Sequence, residues 1–250
     1  MKSTDSIFGK WAAIASTGLA LGIGLVLVIA LSTAHLTIEV PTVMVGTNDV
    51  VYYYGGATKE DAVALGQALK AMGFFADRGA GAVLSKKSAA SMVVSLILKD
   101  GAWDLPDAIF QYGEVGRGIA PSVGGFPLRV KLVNSKLAVK KVLTVGKETI
   151  GMRDTIFYYG SATPADAVAL GQSLRSAGAL KDTGVTVVLA KGDATTVSFV
   201  VKQDPSWERP EVVAAYESLM RQIAPSVGGL PLKLRFIDSR GVAHKEVSVL

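Results

Sequence analysis

The feature of this sequence that most limits its fold is an internal duplication. The heptapeptide DAVALGQ occurs at residues 61–67 and again, unchanged, at residues 166–172. A second heptapeptide, IAPSVGG, occurs at residues 119–125 and at residues 223–229. The motifs keep their order and nearly the same offset, 105 residues for the first and 104 for the second, which is the pattern of two copies of one domain.

Each copy has the same predicted order of strands and helices. Apolar β-branched and aromatic residues near Val50 and Thr155 predict a first strand. Thr58 and Thr163, each followed three residues later by an aspartate, predict the N-cap of a helix. Two strands, a second helix and a closing hairpin follow. We therefore expect an α+β fold: a tandem duplication of a ferredoxin-like two-layer sandwich, βαββαβ with an extra C-terminal strand.

The IAPSVGG motif is predicted to join the second helix of each copy to the next strand. Pro121 and Pro225 cannot continue a helix, and the paired glycines that follow allow positive φ values. The serines of the motif, Ser122 and Ser226, have no nearby histidine or lysine that could activate them as nucleophiles. We therefore expect a structural joint rather than a pair of catalytic loops.

A long apolar segment precedes the two copies. Residues 11–34 carry no charge, and twenty-four residues of helix can cross a hydrocarbon core of about 30 Å. Lys2 and Lys10 come before this segment and no lysine or arginine follows until Lys59, so the N-terminus is predicted to be cytoplasmic. Cleavage as a signal peptide after Ala34 is the alternative, and the length of the apolar run favours a retained anchor.

The predicted organisation therefore has five segments. They are a cytoplasmic tail at residues 1–10, a transmembrane helix at residues 11–34, a tether at residues 35–48, and two α+β repeats at residues 49–146 and 147–250. This arrangement predicts a single-pass protein of the bacterial inner membrane, in contact with the lipid bilayer, whose repeats are periplasmic.

Small residues within the predicted span indicate a helix partner. Gly18 and Gly22 form a G-x-x-x-G pattern, and Ala20 with Gly24 forms a second small-residue pair. Such spacing allows close approach of another helix in a membrane. We expect integral membrane subunits as partners, although apolar helices are rich in glycine for other reasons too.

The composition argues against most cofactor chemistry. The chain has no cysteine and only two histidines, His35 and His244, which excludes disulfides and thiolate ligands and disfavours a histidine metal site or catalytic triad. The net charge is +5, with acidic and basic residues interspersed, so nucleic-acid binding is not expected. We predict no catalytic, cofactor-binding or metal-binding residues.

The aromatic residues are candidates for an interaction surface. Tyr52, Tyr53, Trp103 and Trp207 are of the types that anchor protein interfaces. The alternative is that they are core residues with one polar tip at the surface.

The motifs VYYYGGAT, DAVALGQ and IAPSVGG together resemble a repeat domain of bacterial envelope proteins, and this resemblance implies no particular activity. We expect a non-catalytic scaffold or accessory subunit that packs on a larger bacterial membrane complex, with photosynthetic reaction-centre or antenna assemblies and respiratory assemblies as candidates. An envelope ligand-binding or sensor module that holds a small ligand between the two repeats is the alternative. An enzyme is the least favoured class.

Overall fold

A computed structural model describes residues 26–28, 37–86, 92–201 and 205–250. Most of the predicted membrane span, including Gly18, Gly22 and Gly24, and the whole cytoplasmic tail lie outside the described residues. The described part of the span is strand β1 (Val26–Val28), which pairs antiparallel with β2 (Thr37–Glu39). Among the described residues, no helix is both long and apolar enough to cross a membrane. The transmembrane anchor stays a prediction.

The remaining described elements follow the order predicted for a duplicated chain. Strand β3 (Thr42–Val45) lies in the segment predicted to be a tether. The first copy then contains β4 (Asp49–Tyr54), α1 (Lys59–Ala71), β5 (Gly81–Lys86), β6 (Met92–Ile97), α2 (Ala108–Ile119) and β7 (Leu128–Val133). Strand β8 (Val139–Ile150) comes between the copies. The second copy contains β9 (Asp154–Gly160), α3 (Pro164–Ser176), β10 (Thr186–Lys191), β11 (Thr195–Val200), α4 (Pro210–Ile223), β12 (Leu232–Ile237) and β13 (Ala243–Val249).

The described fold is mixed α/β, with four helices and one eleven-stranded sheet. Its strands run in chain order from β3 to β13. Strands joined by a helix are direct neighbours and parallel, as in β4 with β5 and β9 with β10. Strands joined by a hairpin are antiparallel, as in β10 with β11. The predicted ferredoxin-like order differs, because it would place another strand between the two members of each parallel pair.

The local turn chemistry follows the sequence closely in both copies. Thr58 and Asp61 form a capping box at α1, in which the Asp61 amide donates to the Thr58 hydroxyl over 3.2 Å. Thr163 and Asp166 form the same box at α3. Each IAPSVGG motif forms a 3₁₀ turn and then a glycine at positive φ, Gly124 in the first copy, so the predicted structural joint is confirmed. The X-Pro bond that follows is cis in both copies.

The chain divides into two compact units that do not coincide with the sequence repeats. The first unit comprises residues up to 104 and residues 118–141, and the second comprises residues 105–117 and 142–250. Ten residues of α2, a helix of the first repeat, therefore belong to the second unit. The part of α2 from residue 108 to residue 117 thus lies in the same unit as strands β9 to β13.

Candidate functional site

The sheet of the second unit is buried on both faces. One face packs against α3 and α4, with Leu170 and Met220 among the helix residues and Phe236 among the strand residues of that core. The other face carries a different set of buried side chains, which includes polar ones: Tyr159, Val188, Ala190, Thr196, Ser198 and Arg235. A buried polar face requires partners, because unpaired polar groups away from water are costly.

Helix α2 and the residue before it supply partners for two of these polar groups, Tyr159 and Arg235, whereas the buried Ser198 hydroxyl has no hydrogen-bond partner among the described residues. The Tyr159 hydroxyl donates a 2.7 Å hydrogen bond to the Glu114 carboxylate. Arg117 donates to the same carboxylate, 2.9 Å from its Nε, and to the backbone carbonyl of Ser239, also over 2.9 Å. Glu114 is 3% exposed and Tyr159 is fully buried. Burial and then the negative charge of Glu114 raise the pKa of Tyr159 well above its ordinary value, so this phenol is a donor at all physiological pH values.

The same carboxylate keeps Arg117 charged. Burial alone would lower the pKa of Arg117, but its ion pair with Glu114 outweighs burial and raises that pKa. The Arg117 guanidinium also lies over the Phe157 ring, 5.4 Å from the ring centroid. The cluster therefore pairs its charges internally, which is the condition under which buried ions are tolerated.

Glycine permits the close approach of α2 to the sheet. A Cβ atom added at Gly113 would overlap the ring of Tyr159, and one added at Gly241 would overlap the carboxylate of Glu114. Both positions therefore require the absence of a side chain. Gly241 also has a φ of +80°, a backbone conformation that glycine adopts without strain.

A second group of charges holds the N-terminal end of α2. Arg235, which is 3% exposed, contacts Asp107 over 2.7 Å and also pairs with Glu246. Lys233 lies 3.3 Å from Glu246 and 3.6 Å from Asp107. The Arg235 guanidinium stacks on Phe110 of α2, 4.5 Å from the ring centroid. Ion pairs and a cation–π contact thus fix this end of the helix on the sheet.

The strand register identifies the counterparts of these residues in the first unit. Phe157, Val188, Ser198 and Arg235 lie in one row across β9 to β12, and Tyr52, Val83, Ser95 and Lys131 lie in the matching row across β4 to β7. In the next row, Tyr159 and Lys233 correspond to Tyr54 and Arg129.

The matching face of the first unit is exposed at its edges. Tyr54 is 54% exposed and Arg129 is exposed, whereas Tyr52, Ser95 and Lys131 are partly exposed. We call these five residues the open face. No ion pair or side-chain hydrogen bond joins Tyr54, Arg129 or Lys131 to another residue that the structure describes. The centre of this face is buried, with Val83, Ser85 and Val93 only 5–8% exposed. The face therefore presents polar side chains at its edges, Tyr54 and Arg129 above all, around a buried centre.

The predicted interaction residues lie in several places. Tyr52 belongs to the open face, and Tyr53, half-buried, points to the opposite side of the same strand. Trp103 is 8% exposed, with Lys140 5.5 Å from its ring centroid and Lys141 donating to its carbonyl over 2.9 Å.

Trp207, in the second unit, stacks on His244 with the ring centroids 5.1 Å apart. Trp103 is thus buried in its own unit, whereas Trp207 is partly exposed, and a role of either tryptophan in an interaction surface stays a prediction. The sequence argument missed Tyr54, Arg129 and Lys131, although their positions in the two aligned copies were available.

Two buried aspartates were also missed. Asp154 is 1% exposed, and its carboxylate accepts backbone N–H donors from Asp182, Gly184 and Val185 over 2.8–2.9 Å. Burial opposes the charged form, but these hydrogen bonds outweigh it and lower the pKa of Asp154. Asp49 holds the corresponding loop of the first unit in the same way. Both aspartates recur at an offset of one repeat and serve loop structure.

The other features that could serve catalysis or ligand binding are a serine of the IAPSVGG motif, a groove between two helices, and acidic or histidine side chains that could bind a metal. The Ser226 hydroxyl donates to the Ile223 carbonyl over 2.7 Å, so it caps the end of α4. A groove of about 330 Å³ between α3 and α4 is lined by uncharged residues, among them Gln172, Ser173 and Gln222. Within the described ranges, no group of three or more histidine, cysteine, aspartate or glutamate side chains could hold a metal ion.

Comparison with known proteins finds no family model, no curated protein and no solved structure that matches this chain. The functional proposal is therefore drawn from the geometry of the described residues. Its two elements are the polar cluster under α2 and the open face.

Proposed function

We propose that this chain is a non-catalytic scaffold subunit of a bacterial membrane complex. Residues 11–34 anchor it in the inner membrane, the two units lie on the periplasmic side, and integral membrane subunits of the complex are its partners. The uncharged apolar run and the lysines before it support this topology.

The open face is the observation that carries the proposal. It presents two tyrosines and two basic side chains on a sheet surface whose counterpart in the other unit is covered by a packed helix. Tyrosine and arginine are enriched at the centres of protein interfaces. A surface of this kind is suited to bind a protein element with an acidic or hydroxyl-bearing side.

Three buried ionisable groups with shifted pKa values, Tyr159, Arg117 and Asp154, favour a structural role. Tyr159 and Arg117 are paired through Glu114, and Asp154 is saturated by backbone donors. Perturbed groups at an active site are held ready for a substrate, whereas these have their partners within the protein. This pattern supports docking rather than catalysis.

The experiment is purification of the tagged full chain from its native membranes in mild detergent. We expect an integral membrane partner in stoichiometric amount, and we expect Arg129→Glu to reduce its recovery about fivefold, because like charges placed opposite each other in an interface repel. Lys136→Glu is the matched control, because Lys136 is an exposed residue of the same unit on the turn after β7. Recovery of the chain without any stoichiometric membrane partner would contradict the scaffold and favour the envelope-sensor alternative.

A further inference from the structure

Strand β3 lies at one edge of the eleven-stranded sheet, and among the described strands only β4 pairs with it. The Tyr53 amide donates to the Pro41 carbonyl over 3.0 Å, which marks one hydrogen-bonded position of this antiparallel pairing. Such positions alternate with positions that make no hydrogen bond to the partner strand. The backbone N–H and C=O groups of Thr42 and Met44 therefore point away from β4 and towards the free edge of the sheet.

The side chains of β3 do not protect this edge. Native edge strands are usually guarded by charged residues, by proline or by a β-bulge. Strand β3, with the sequence Thr-Val-Met-Val, has none of these, and Met44 is 56% exposed. The strand at the opposite edge of the sheet, β13, carries Lys245 and Glu246, and its pairing with β12 is irregular after Phe236. The edge at β13 is therefore guarded, whereas the edge at β3 is not.

Comparison of the two copies shows the same lack of charge. At the offset of 105 residues, β3 corresponds to residues 147–150 of β8. Lys147 and Glu148 stand there in the places of Thr42 and Val43. The segment is thus charged within the sheet and uncharged where it forms the edge of the sheet.

We propose that β3 of one chain pairs antiparallel with β3 of a second copy, so that the sheet continues across a twofold axis. Residues directly opposite each other in an antiparallel pair lie on the same face of the sheet, so Thr42 of each chain can lie opposite Met44 of the other. Each of these pairs exchanges two backbone hydrogen bonds. Uncharged side chains then meet uncharged side chains, whereas pairing with β13 would place Lys245 and Glu246 beside them.

The contact is short, so it is expected to be weak outside the membrane. Stable interfaces bury more than about 1,000 Å², and a pair of four-residue strands covers less. Two chains anchored in the same membrane meet at a high effective concentration, which compensates for a small contact. This step rests on the proposed function, because it uses the anchor at residues 11–34. The edge groups lie in the plane of the sheet, so the β3 pairing leaves the open face to the membrane partner.

The test is cross-linking of the full chain in its native membranes. The chain has no cysteine, so Met44→Cys introduces a single thiol. In the proposed pairing the two Met44 positions are diagonal neighbours about 7–8 Å apart, within reach of a short thiol-reactive crosslinker. We expect about fivefold more cross-linked dimer from Met44→Cys than from Met152→Cys, because random encounters alone link the second variant. Met152 is the matched control, since it is an 84% exposed methionine of the second unit.

Charge substitutions in the Met44→Cys background form the decisive arm. Thr42→Lys in both copies is expected to lower the amount of dimer about fivefold, because it places two like charges across the strand pair. Thr149→Lys, at an exposed position of β8, is the control. Co-expression of a Thr42→Lys copy with a Thr42→Glu copy restores the dimer, because the two charges then attract. Unchanged melting temperatures establish that the variants are folded.

Absence of the dimer, equal cross-linking of Met152→Cys, a Thr42→Lys variant that still cross-links, or a mixture that restores nothing would each overturn the proposal. A cross-link from Met44→Cys to a different protein would also overturn it, because that protein would then occupy the edge. If the dimer forms but no membrane partner co-purifies, the proposed function fails alone. If the partner co-purifies and the dimer does not form, the β3 pairing fails alone.

Discussion

The phenol of Tyr159 donates a 2.7 Å hydrogen bond to the buried carboxylate of Glu114. The counterpart of this tyrosine in the first copy, Tyr54, is 54% exposed. Two positions with the same residue in a duplicated sequence thus have opposite environments. The difference arises because α2 covers the sheet in the second unit. Tyr54 is therefore an internal control for measuring how much burial under α2 adds to the free energy of unfolding.

Tyr159→Phe is expected to lower the free energy of unfolding by about 1–2 kcal/mol, because it removes one hydrogen bond to a buried, charged acceptor. Tyr54→Phe, the same change at the exposed counterpart, is expected to alter it by less than about 0.5 kcal/mol. Denaturant unfolding of the full chain in detergent, followed by circular dichroism, measures both. Equal effects of the two substitutions would show that the described burial of Tyr159 is wrong.

Glu114→Ala is expected to have a larger effect, about 3–5 kcal/mol, because it leaves the Arg117 guanidinium buried without its partner. Adding Arg117→Leu removes that unpaired charge and is expected to recover part of the loss. The ratio of folded to unfolded protein for the two single variants and the double variant gives the coupling between the residues. Ser218→Ala, at the exposed counterpart of Glu114, is the control, and additive effects of the two changes at α2 would contradict the ion pair.

Short-range patterns in the sequence were sufficient to predict the capped helices and the IAPSVGG joint. They were not sufficient to predict the order of the strands in the sheet. Thr163 and Asp166 lie three residues apart, so their contact is encoded within one turn. The pairing of β9 with β10 is not encoded locally in this way. A thirteen-residue helix such as α3 can return the chain either to the adjacent position in the sheet or to a position one strand further away. The parallel pairs were therefore beyond what spacing could predict.

The polar cluster was missed for a related reason. Ile109, Tyr112 and Val115 recur at helical spacing, which predicts that they form the buried side of α2 and that Glu114 lies on the solvated side. Its partner Tyr159 is forty-five residues further along the chain, in the other repeat. The available signal was Gly113, a glycine inside a helix at a position where the other copy has a larger residue, which is typical of close packing.

Acid is expected to weaken the second unit through Asp154. Its pKa in the folded state lies below the value of about 3.9 for an unfolded chain, so its contribution to stability is present above that value and is lost as pH falls through the folded-state pKa. Asp154→Asn is expected to cost about 1–3 kcal/mol at neutral pH, since the amide leaves backbone donors unpaired. It should also make the loss of stability below about pH 4 shallower.

Melting temperatures of the full chain from pH 7 to pH 2 measure both effects. Asp193→Asn, at an exposed hairpin position, is the control and should leave the profile unchanged. A variant profile as steep as that of the original protein would mean that other carboxylates cause the acid sensitivity.

The apolar segment at residues 11–34 is expected to hold the chain in the membrane against alkaline carbonate extraction, because about twenty apolar residues of helix insert in an effectively irreversible way. The chain has no cysteine, so single cysteines can be introduced to report its orientation. Ser3→Cys should be protected from an impermeant thiol reagent added to intact spheroplasts, and Asp193→Cys should be labelled. Lysed spheroplasts, in which both positions react, provide the control. Release of the chain by carbonate, or labelling of Ser3→Cys before lysis, would contradict a retained anchor with a cytoplasmic N-terminus.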